Sequence, residues 1–349
     1  MKAQLFCGID LHKHYSYIVV KDQQGRQITK GRVVNNQETI AAFFSPMKEY
    51  QIIAALEATN NYYWLFETLD QLGIQVKLCH PLKTRAIAEA KIKTDKIDAK
   101  ILSDLNRADL LPLSYIPSRK IRELREIVRH RIRLVRQRSR LKLQLRDVLT
   151  KNNISDAYAD FAGESARSSI NQLSLPQAFA IQCRDILDQI DFLDKKIAAM
   201  NRTLQTISGD FPEVEKLMTI RGIGLFSGLV ILACIGDIHR FSSPKKLVRY
   251  AGLCPGVHQS GFKSYHTSLI KEGDKYLRWI LCEAVHHAIK QPGALKDFYQ
   301  SIAFRRGFKK AIMATARKML IGIYFVLKEQ VAFQPVRKAQ FHHATLNLE

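Results

Sequence analysis

Four acidic residues occupy positions that favour the binding of a metal ion. Asp10 and Glu57 each end a continuous apolar run, where a charge is costly without a partner or a cation. Asp95 and Asp98 are three residues apart, so a helix would point both side chains to one side. One acid alone is more often a solvated charge or a helix cap. The set of four predicts a metal site, because Mg²⁺ prefers clustered oxygen ligands.

A serine in a glycine-rich stretch and a Gly-x-Gly sequence are further candidates. Ser260 precedes Gly261 in a loop or hairpin over 254–270, but no Ser-His-Asp arrangement follows from its spacing, and residue types alone leave it a turn residue. Arg221-Gly222-Ile223-Gly224 lacks the preceding strand and third glycine of a dinucleotide loop. Two interpretations stand for Gly222 and Gly224: a plain turn between packed helices, or a helix-hairpin-helix turn whose backbone N–H groups bind phosphate.

Histidine and cysteine patterns give weaker signals. Histidine pairs occur at 12/14, 286/287 and 342/343 without acidic or thiol companions at ligand spacing, so surface or packing roles are expected. The six cysteines lie far apart with no Cys-x-x-Cys, which predicts free thiols.

The elements that must position the acids alternate between strands and helices. Strands are predicted over 5–10, 15–21, 27–34, 52–57 and 74–80, and helices over 36–50, 62–72 and from Thr94 onward. The first three strands form an antiparallel meander. This order, together with the four acids, predicts an α/β domain of RNase H-like type.

The middle of the chain is strongly basic and carries heptads. Between Arg119 and Arg146 there are twelve Lys or Arg and two Glu, a net charge of +10. Apolar residues recur at 124, 127, 134, 141, 145 and 148, with arginine at the two missing positions, 131 and 138. Positions 179, 183, 186, 190, 193, 197, 200, 204 and 207 repeat 4-3 without a break and predict a coiled coil. The polar link 151–172 allows a hairpin or pairing with another chain.

The overall charge predicts a nucleic-acid partner. The 349 residues include 54 Lys and Arg against 32 Asp and Glu, a formal charge of +22. The predicted phosphate-binding residues are Arg129, Arg131, Arg133, Arg136, Arg138, Arg140, Lys142, Gly222, Gly224, Lys271 and Arg278. The longest apolar run, 225–235, is too short to cross a bilayer, and no signal-peptide core follows Met1. A cytoplasmic, nucleoid-associated protein without a membrane partner is expected.

The candidate residues fall within ordered sequence motifs. The N-terminal motifs are Gly8-Ile9-Asp10, Leu56-Glu57-Ala58-Thr59 and Lys93-Thr94-Asp95-Lys96-Ile97-Asp98-Ala99. The C-terminal motifs are Ile220-Arg221-Gly222-Ile223-Gly224, Phe241, Tyr250-Ala251-Gly252-Leu253-Cys254-Pro255, Gln259-Ser260-Gly261 and Ile270-Lys271-Glu272-Gly273-Asp274 with Leu277-Arg278. Together they resemble the DEDD transposases of bacterial insertion sequences, the IS one-ten family, which includes pilin-gene invertases. Asn60 departs from the glycine that this family usually has after Glu-Ala-Thr.

The resemblance implies a mechanism and a domain plan. Asp10, Glu57, Asp95 and Asp98 would hold Mg²⁺ in an RNase H-like, Holliday-resolvase-like domain, and Ser260 would form a covalent phosphoserine link to DNA. It also implies a structured guide RNA and a homo-oligomer, either a dimer or a tetramer, that joins one protomer's carboxylates with another's serine. The expected plan is an RNase H-like domain at 1–112, a basic helix and coiled coil at 113–211, a mostly helical transposase domain at 212–333 and a tail at 334–349.

Several functions remain open at this point. The first is RNA-guided transposition of the protein's own element, and the second is site-specific inversion of host DNA by the same chemistry. A metal-dependent nuclease acting on branched DNA, with Ser260 structural, belongs to a different class. A non-enzymatic scaffold that uses only the basic segment 119–146 is the last.

Overall fold

The computed structural model describes residues 2–87, 94–154, 163–260, 263–269 and 273–333, with only the backbone described for 164–166, 171, 257–260 and 263–269. The chain divides into two compact units, Met1–Ile116 and Pro117–Glu349. The first unit contains a mixed sheet covered by helices, and the second is mostly helical.

The first unit is built on a five-stranded sheet. Its strands are β1 Gln4–Leu11, β2 Tyr15–Lys21, β3 Gln27–Val34, β4 Gln51–Glu57 and β5 Gln75–Cys79. They lie in the order β3-β2-β1-β4-β5, with β1 to β3 antiparallel and β4 and β5 parallel to β1. Its helices are α1 Gln37–Phe44, α2 Tyr62–Gln71, α3 Pro81–Ile87 and α4 Asp95–Arg107. The predicted meander and the alternating order that follows it are confirmed.

The central strand β1 is covered on both faces. Leu5, Cys7 and Ile9 are buried in a core that also contains Leu56 and Leu65. Gly8 lies against α4 on the other face, so the apolar run that precedes Asp10 is covered from two sides. This explains why the strand reads as a continuous hydrophobic segment.

Gly8 allows α4 to lie directly on β1. A Cβ atom at Gly8 would be 2.1 Å from the carbonyl oxygen of Ala99 and 2.4 Å from the backbone nitrogen of Ser103. The amide of Asn106 secures the contact by donating to the carbonyls of Cys7 and Ile53, at 3.2 and 2.7 Å. Only glycine leaves room for this approach, which brings the first turn of α4 toward the end of β1.

We expect Gly8→Ala to lower the free energy of unfolding by about 1–3 kcal/mol or more, because the added methyl group overlaps helix backbone that cannot rotate away. Urea denaturation followed by circular dichroism measures this. Gly31→Ala is the matched control, since its Cβ would lie 3.5 Å from a ring carbon of Phe43, an ordinary contact. Equal stability of the two variants would contradict the close packing.

The second unit begins with two long helices that pack against each other. Its elements are α5 Arg119–Lys151, α6 Glu164–Gln172, α7 Gln177–Ile207, α8 Glu213–Met218, α9 Leu225–Ile235, α10 Pro244–Tyr250, β6 Pro255–Ser260, β7 Lys263–Leu269, α11 Lys275–Ala288, α12 Ala294–Arg306 and α13 Phe308–Glu329. Among the described helices, none is long and apolar enough to cross a membrane.

Helices α5 and α7 form an antiparallel hairpin within one chain. Leu145 packs with Cys183 near the connection, and Leu134 packs with Leu193 and Ile197 further along. All nine predicted heptad positions of α7 are buried or half-buried. Of the two arrangements that the sequence left open, the described residues form the hairpin. The polar link between α5 and α7 contains the helix α6, which was not predicted.

The rest of the second unit packs around α9. Every residue of α9 from 228 to 235 is buried, in a core that includes Leu281 of α11 and Leu320 of α13. Leu124, Val128 and Ile132 of α5 join the same core. Helix α5 therefore has two apolar faces, one toward α7 and one toward α9.

Candidate active site

The four predicted acids lie at the ends of three neighbouring elements of the first unit. Asp10 is near the end of β1, and Glu57 ends β4, which pairs in parallel with β1 so that Ile9 lies opposite Leu56. Asp95 and Asp98 are in the first turn of α4. The sheet and the Gly8 contact together bring these acids to one end of β1.

Asp10 and Asp95 converge on a histidine. Nε2 of His12 lies 3.0 Å from Oδ2 of Asp10 and 3.2 Å from Oδ1 of Asp95. One donor atom from each of the three residues lies within 4.8 Å of the others, whereas Glu57 and Asp98 are outside this group. The prediction that the histidine pairs have no acidic companions at ligand spacing was wrong for His12. The available signal was its position two residues after Asp10, beyond the end of the same strand.

The two carboxylates have opposite pKa shifts. Burial raises the pKa of Asp10, and the charges of Asp98 and Asp95 raise it further, while His12 opposes the shift. The pKa of Asp95 is lowered, mainly because the hydroxyl of Tyr15 donates a hydrogen bond to Oδ2 at 2.8 Å. A partly buried carboxylate beside other acids is stabilised by a cation. The donors present therefore fit a divalent metal ion.

Ser260 ends the first strand of a hairpin in the second unit. It is the last residue of β6, and its backbone pairs with Lys263 at the start of β7. The hairpin confirms the alternative that was predicted for 254–270. The side chain of Ser260, and Lys271 as a whole, lie outside the described residues.

Two glycines hold the base of the serine hairpin together. A Cβ atom at Gly273 would lie 2.1 Å from the backbone nitrogen of Gly252, whose φ is +68°. Beside this contact, the N–H of Asp274 donates to the carbonyl of Tyr250 at 2.9 Å. Arg278, a predicted phosphate ligand, donates through Nη1 to the carbonyl of Ala251 at 3.2 Å. The segments that enter and leave the hairpin are therefore joined backbone to backbone.

We expect Gly273→Ala to separate these two segments and to lower hydrogen-exchange protection of β6, because the new methyl group would overlap the Gly252 backbone. Mass spectrometry of amide exchange over 255–260 measures the change. Gly209→Ala is the control, since no atom lies within 4 Å of its Cβ position. Unchanged exchange in Gly273→Ala would show that the contact does not support the hairpin.

The Gly-x-Gly sequence forms the turn between α8 and α9. Gly222 has φ +91°, and a Cβ there would lie 2.2 Å from the carbonyl oxygen of Ala284 in α11. Packing against α11 thus accounts for Gly222 without a ligand. Gly224 is the N-cap of α9, and its N–H donates to Oγ of Ser227 at 2.8 Å.

The predicted phosphate-binding residues of α5 divide into three groups. Arg131 donates to Oδ1 of Asn201 at 3.1 Å, and Arg138 donates to Oδ1 of Asp194 at 2.5 Å, so both bind α7 within the chain. Three others are exposed, namely Arg133, Arg136 and Arg140, while Arg129 and Lys142 are half-buried. Among the predicted phosphate-binding residues of α5, the exposed group is the part that solvent reaches most freely.

Comparison with known families covers both units. A DEDD-type transposase model matches residues 7–154, which include all four acids. A second model, described as transposase IS116/IS110/IS902 family, matches residues 214–300, which include Ser260. The chain belongs to this family of insertion-sequence transposases. Membership implies an enzyme that cleaves and recombines DNA.

Individual members of the family are distant but extend over most of the chain. A probable family 20 transposase of Pseudomonas aeruginosa is 25% identical over 344 residues, covering 94% of each chain. A transposase for insertion sequence element IS1111A of Coxiella burnetii is 22% identical over 346 residues, covering 96% of this chain and 92% of its own. A pilin gene-inverting protein of Moraxella bovis is 27% identical over 296 residues, covering 80% of each.

Proposed function

We propose that this transposase moves its own insertion sequence by Mg²⁺-dependent strand cleavage and exchange through a phosphoserine intermediate. The observation that carries the proposal is the convergence of Asp10 and Asp95, from separate elements, in a chain whose family models cover all four acids and Ser260. The meander followed by parallel strands supports an RNase H-like fold for the first unit.

The carboxylates of Asp10, Glu57, Asp95 and Asp98 would hold the metal ion. Burial and neighbouring charge already disfavour the ionised form of Asp10, and a bound cation would reverse that penalty. When bound, Mg²⁺ supplies charge neutralisation at the scissile phosphate and makes a nearby hydroxyl easier to deprotonate.

Ser260 acts as the nucleophile in this proposal. Its Oγ forms a bond to phosphorus while the bond from phosphorus to one deoxyribose oxygen breaks, and that oxygen leaves as a hydroxyl with a proton. The hydroxyl of a second strand then attacks the phosphoserine, which restores the free serine and a phosphodiester. The number of phosphodiester bonds is unchanged, so no nucleotide cofactor is required.

We expect Ser260→Ala to bind Mn²⁺ normally and to form no covalent adduct with DNA from the element's ends, whereas Asp10→Asn should lose both properties. Denaturing gels of protein mixed with labelled DNA measure the adduct, and calorimetry measures the metal. Ser268→Ala, in the other strand of the same hairpin, is the control and should retain the adduct.

The outcomes separate the proposal from hydrolysis. A covalent DNA adduct formed by Ser260→Ala would contradict the assignment of Ser260 as the nucleophile. Cleavage of branched DNA by the native protein with no trapped adduct would instead favour a metal-dependent nuclease. Full strand exchange by Asp10→Asn would exclude a catalytic role for this carboxylate. DNA binding without any cleavage or exchange by the native protein, unchanged in Asp10→Asn, would favour the non-enzymatic scaffold.

The exposed arginines of α5 are proposed to bind phosphates of DNA or of a structured guide RNA. Arg133, Arg136 and Arg140 follow a 3-4 spacing that places them along one stripe of the helix. Such contacts provide affinity without base recognition. Sequence choice is therefore assigned to base pairing with the guide RNA that the family resemblance implies. Homo-oligomerisation belongs to the same proposal.

We expect replacement of all three exposed arginines by Gln to reduce the slope of log affinity against log salt by about three, since each phosphate contact contributes about 0.9. Fluorescence anisotropy over a salt series measures the slope. Replacement of Arg184, Lys195 and Lys196 on α7 by Gln is the matched control, because it removes the same charge from exposed positions of the same hairpin. An equal change in both variants would contradict a localised contact.

Site-specific inversion is the second candidate, favoured by the similarity to the Moraxella bovis pilin gene-inverting protein. The chemistry would be the same and only the arrangement of DNA sites would differ. A plasmid carrying the element's flanks in inverted and in direct orientation distinguishes the two: recombination that only inverts the segment between paired sites supports inversion, and insertion at a third site supports transposition.

A further inference from the structure

The residue after β1 places an imidazole between two carboxylates of the first unit. Nε2 of His12 lies 3.0 Å from Asp10 Oδ2 and 3.2 Å from Asp95 Oδ1. Adjacent ligands on an octahedral ion with bonds of about 2.1 Å are about 3.0 Å apart. Without an ion, the 3.0 Å contact to Asp10 is a hydrogen bond. Two of the three separations match those of adjacent ligands, and all three donor atoms lie within 4.8 Å of one another.

The backbone of His12 is fixed from two directions. Its carbonyl accepts a hydrogen bond from Nδ2 of Asn35 at 2.8 Å and another from Nδ2 of Asn61 at 3.1 Å. The two amides are themselves oriented, because Oγ of Ser16 donates to Asn35 at 2.7 Å and Oγ1 of Thr59 donates to Asn61 at 3.0 Å. This network connects the turn after β1 with the segment that follows Glu57. It holds the histidine in place independently of any ion.

The ring of His12 is also held. It stacks on the ring of Tyr15, with centroids 4.8 Å apart and planes 28° from parallel. The Tyr15 hydroxyl binds Asp95, and the guanidinium of Arg32 lies 3.6 Å from the Tyr15 ring centroid. Ligands that are oriented in advance by surrounding groups are typical of built metal sites.

We propose that His12 is a nitrogen ligand of the metal ion, which makes this a mixed carboxylate–imidazole site and gives it a preference for Mn²⁺ over Mg²⁺. The inference rests on the metal site proposed above. Mg²⁺ takes oxygen ligands, whereas first-row transition metals bind imidazole nitrogen well. The histidine thus determines which divalent cation the site selects, beyond the four acids that the family defines.

Pulsed electron paramagnetic resonance of the full chain with one equivalent of Mn²⁺ tests this directly. We expect nitrogen coupling from a bound imidazole in the native protein and in His14→Ala, which removes an exposed histidine two residues away. The coupling should be absent in His12→Ala and in His12→Gln, the second of which retains a polar side chain of similar length. Since the His12 side chain is 38% exposed, neither change removes a core contact.

Metal titrations give the second measurement. His12→Ala should weaken Mn²⁺ binding about tenfold or more and Mg²⁺ binding much less, because only the transition metal gains from the nitrogen. The inference is overturned by a native Mn²⁺ complex without nitrogen coupling, by coupling that persists in His12→Ala, or by Mn²⁺ affinity that is equal or higher in His12→Ala. The last result would mean that the imidazole only fills the space of the ion.

The same titrations keep this inference separate from the proposed function. If Asp10→Asn binds Mn²⁺ as tightly as the native protein, the proposed metal site itself is contradicted. If Asp10→Asn loses Mn²⁺ binding and His12→Ala keeps it unchanged, only the proposed histidine ligand is contradicted. The proposed carboxylate site is then still supported.

Discussion

The contact between the backbone of α4 and β1 at Gly8 is the constraint on which the first unit depends. Asp10 belongs to the strand, whereas Asp95 and Asp98 belong to the helix, so the distance between these elements determines whether their carboxylates can meet. Mutual repulsion and burial oppose such a meeting. Core packing around β1 and the two hydrogen bonds of Asn106 stabilise it.

The second unit uses the same physical device for a different group. Gly273 lies against Gly252, and this backbone contact joins the two segments that flank the hairpin containing Ser260. From the sequence alone, a glycine at either place indicates a turn or a flexible position. In the structure it allows two backbones to approach more closely than any side chain permits. Both candidate reactive groups are thus carried by rigid junctions.

The strands of the first unit were predictable because each buried run has a clear apolar pattern with turn residues at its ends. The helices α3 and α12 were not. Pro81 follows β5 but also suits the first turn of a helix. No residue of α12 is buried, and Phe304 is 94% exposed, so its apolar residues do not mark one buried face. His12 was missed because its position depends on Asn35 and Asn61, which are distant in sequence. The heptad pattern did identify positions 131 and 138, where arginines reach α7.

Those two arginines also fix the register between α5 and α7. Sliding α5 along α7 by one heptad would separate Arg138 from Asp194 and Arg131 from Asn201, so the polar pairs keep the helices in one register. The 33 residues of α5 extend about 50 Å, the length of about 15 base pairs. The exposed stripe from Arg133 to Arg140 covers only about 10 Å of it, or about three base pairs. Under the proposed function, the phosphate contacts of this stripe would therefore cover only a small part of the DNA that a helix of this length could lie along.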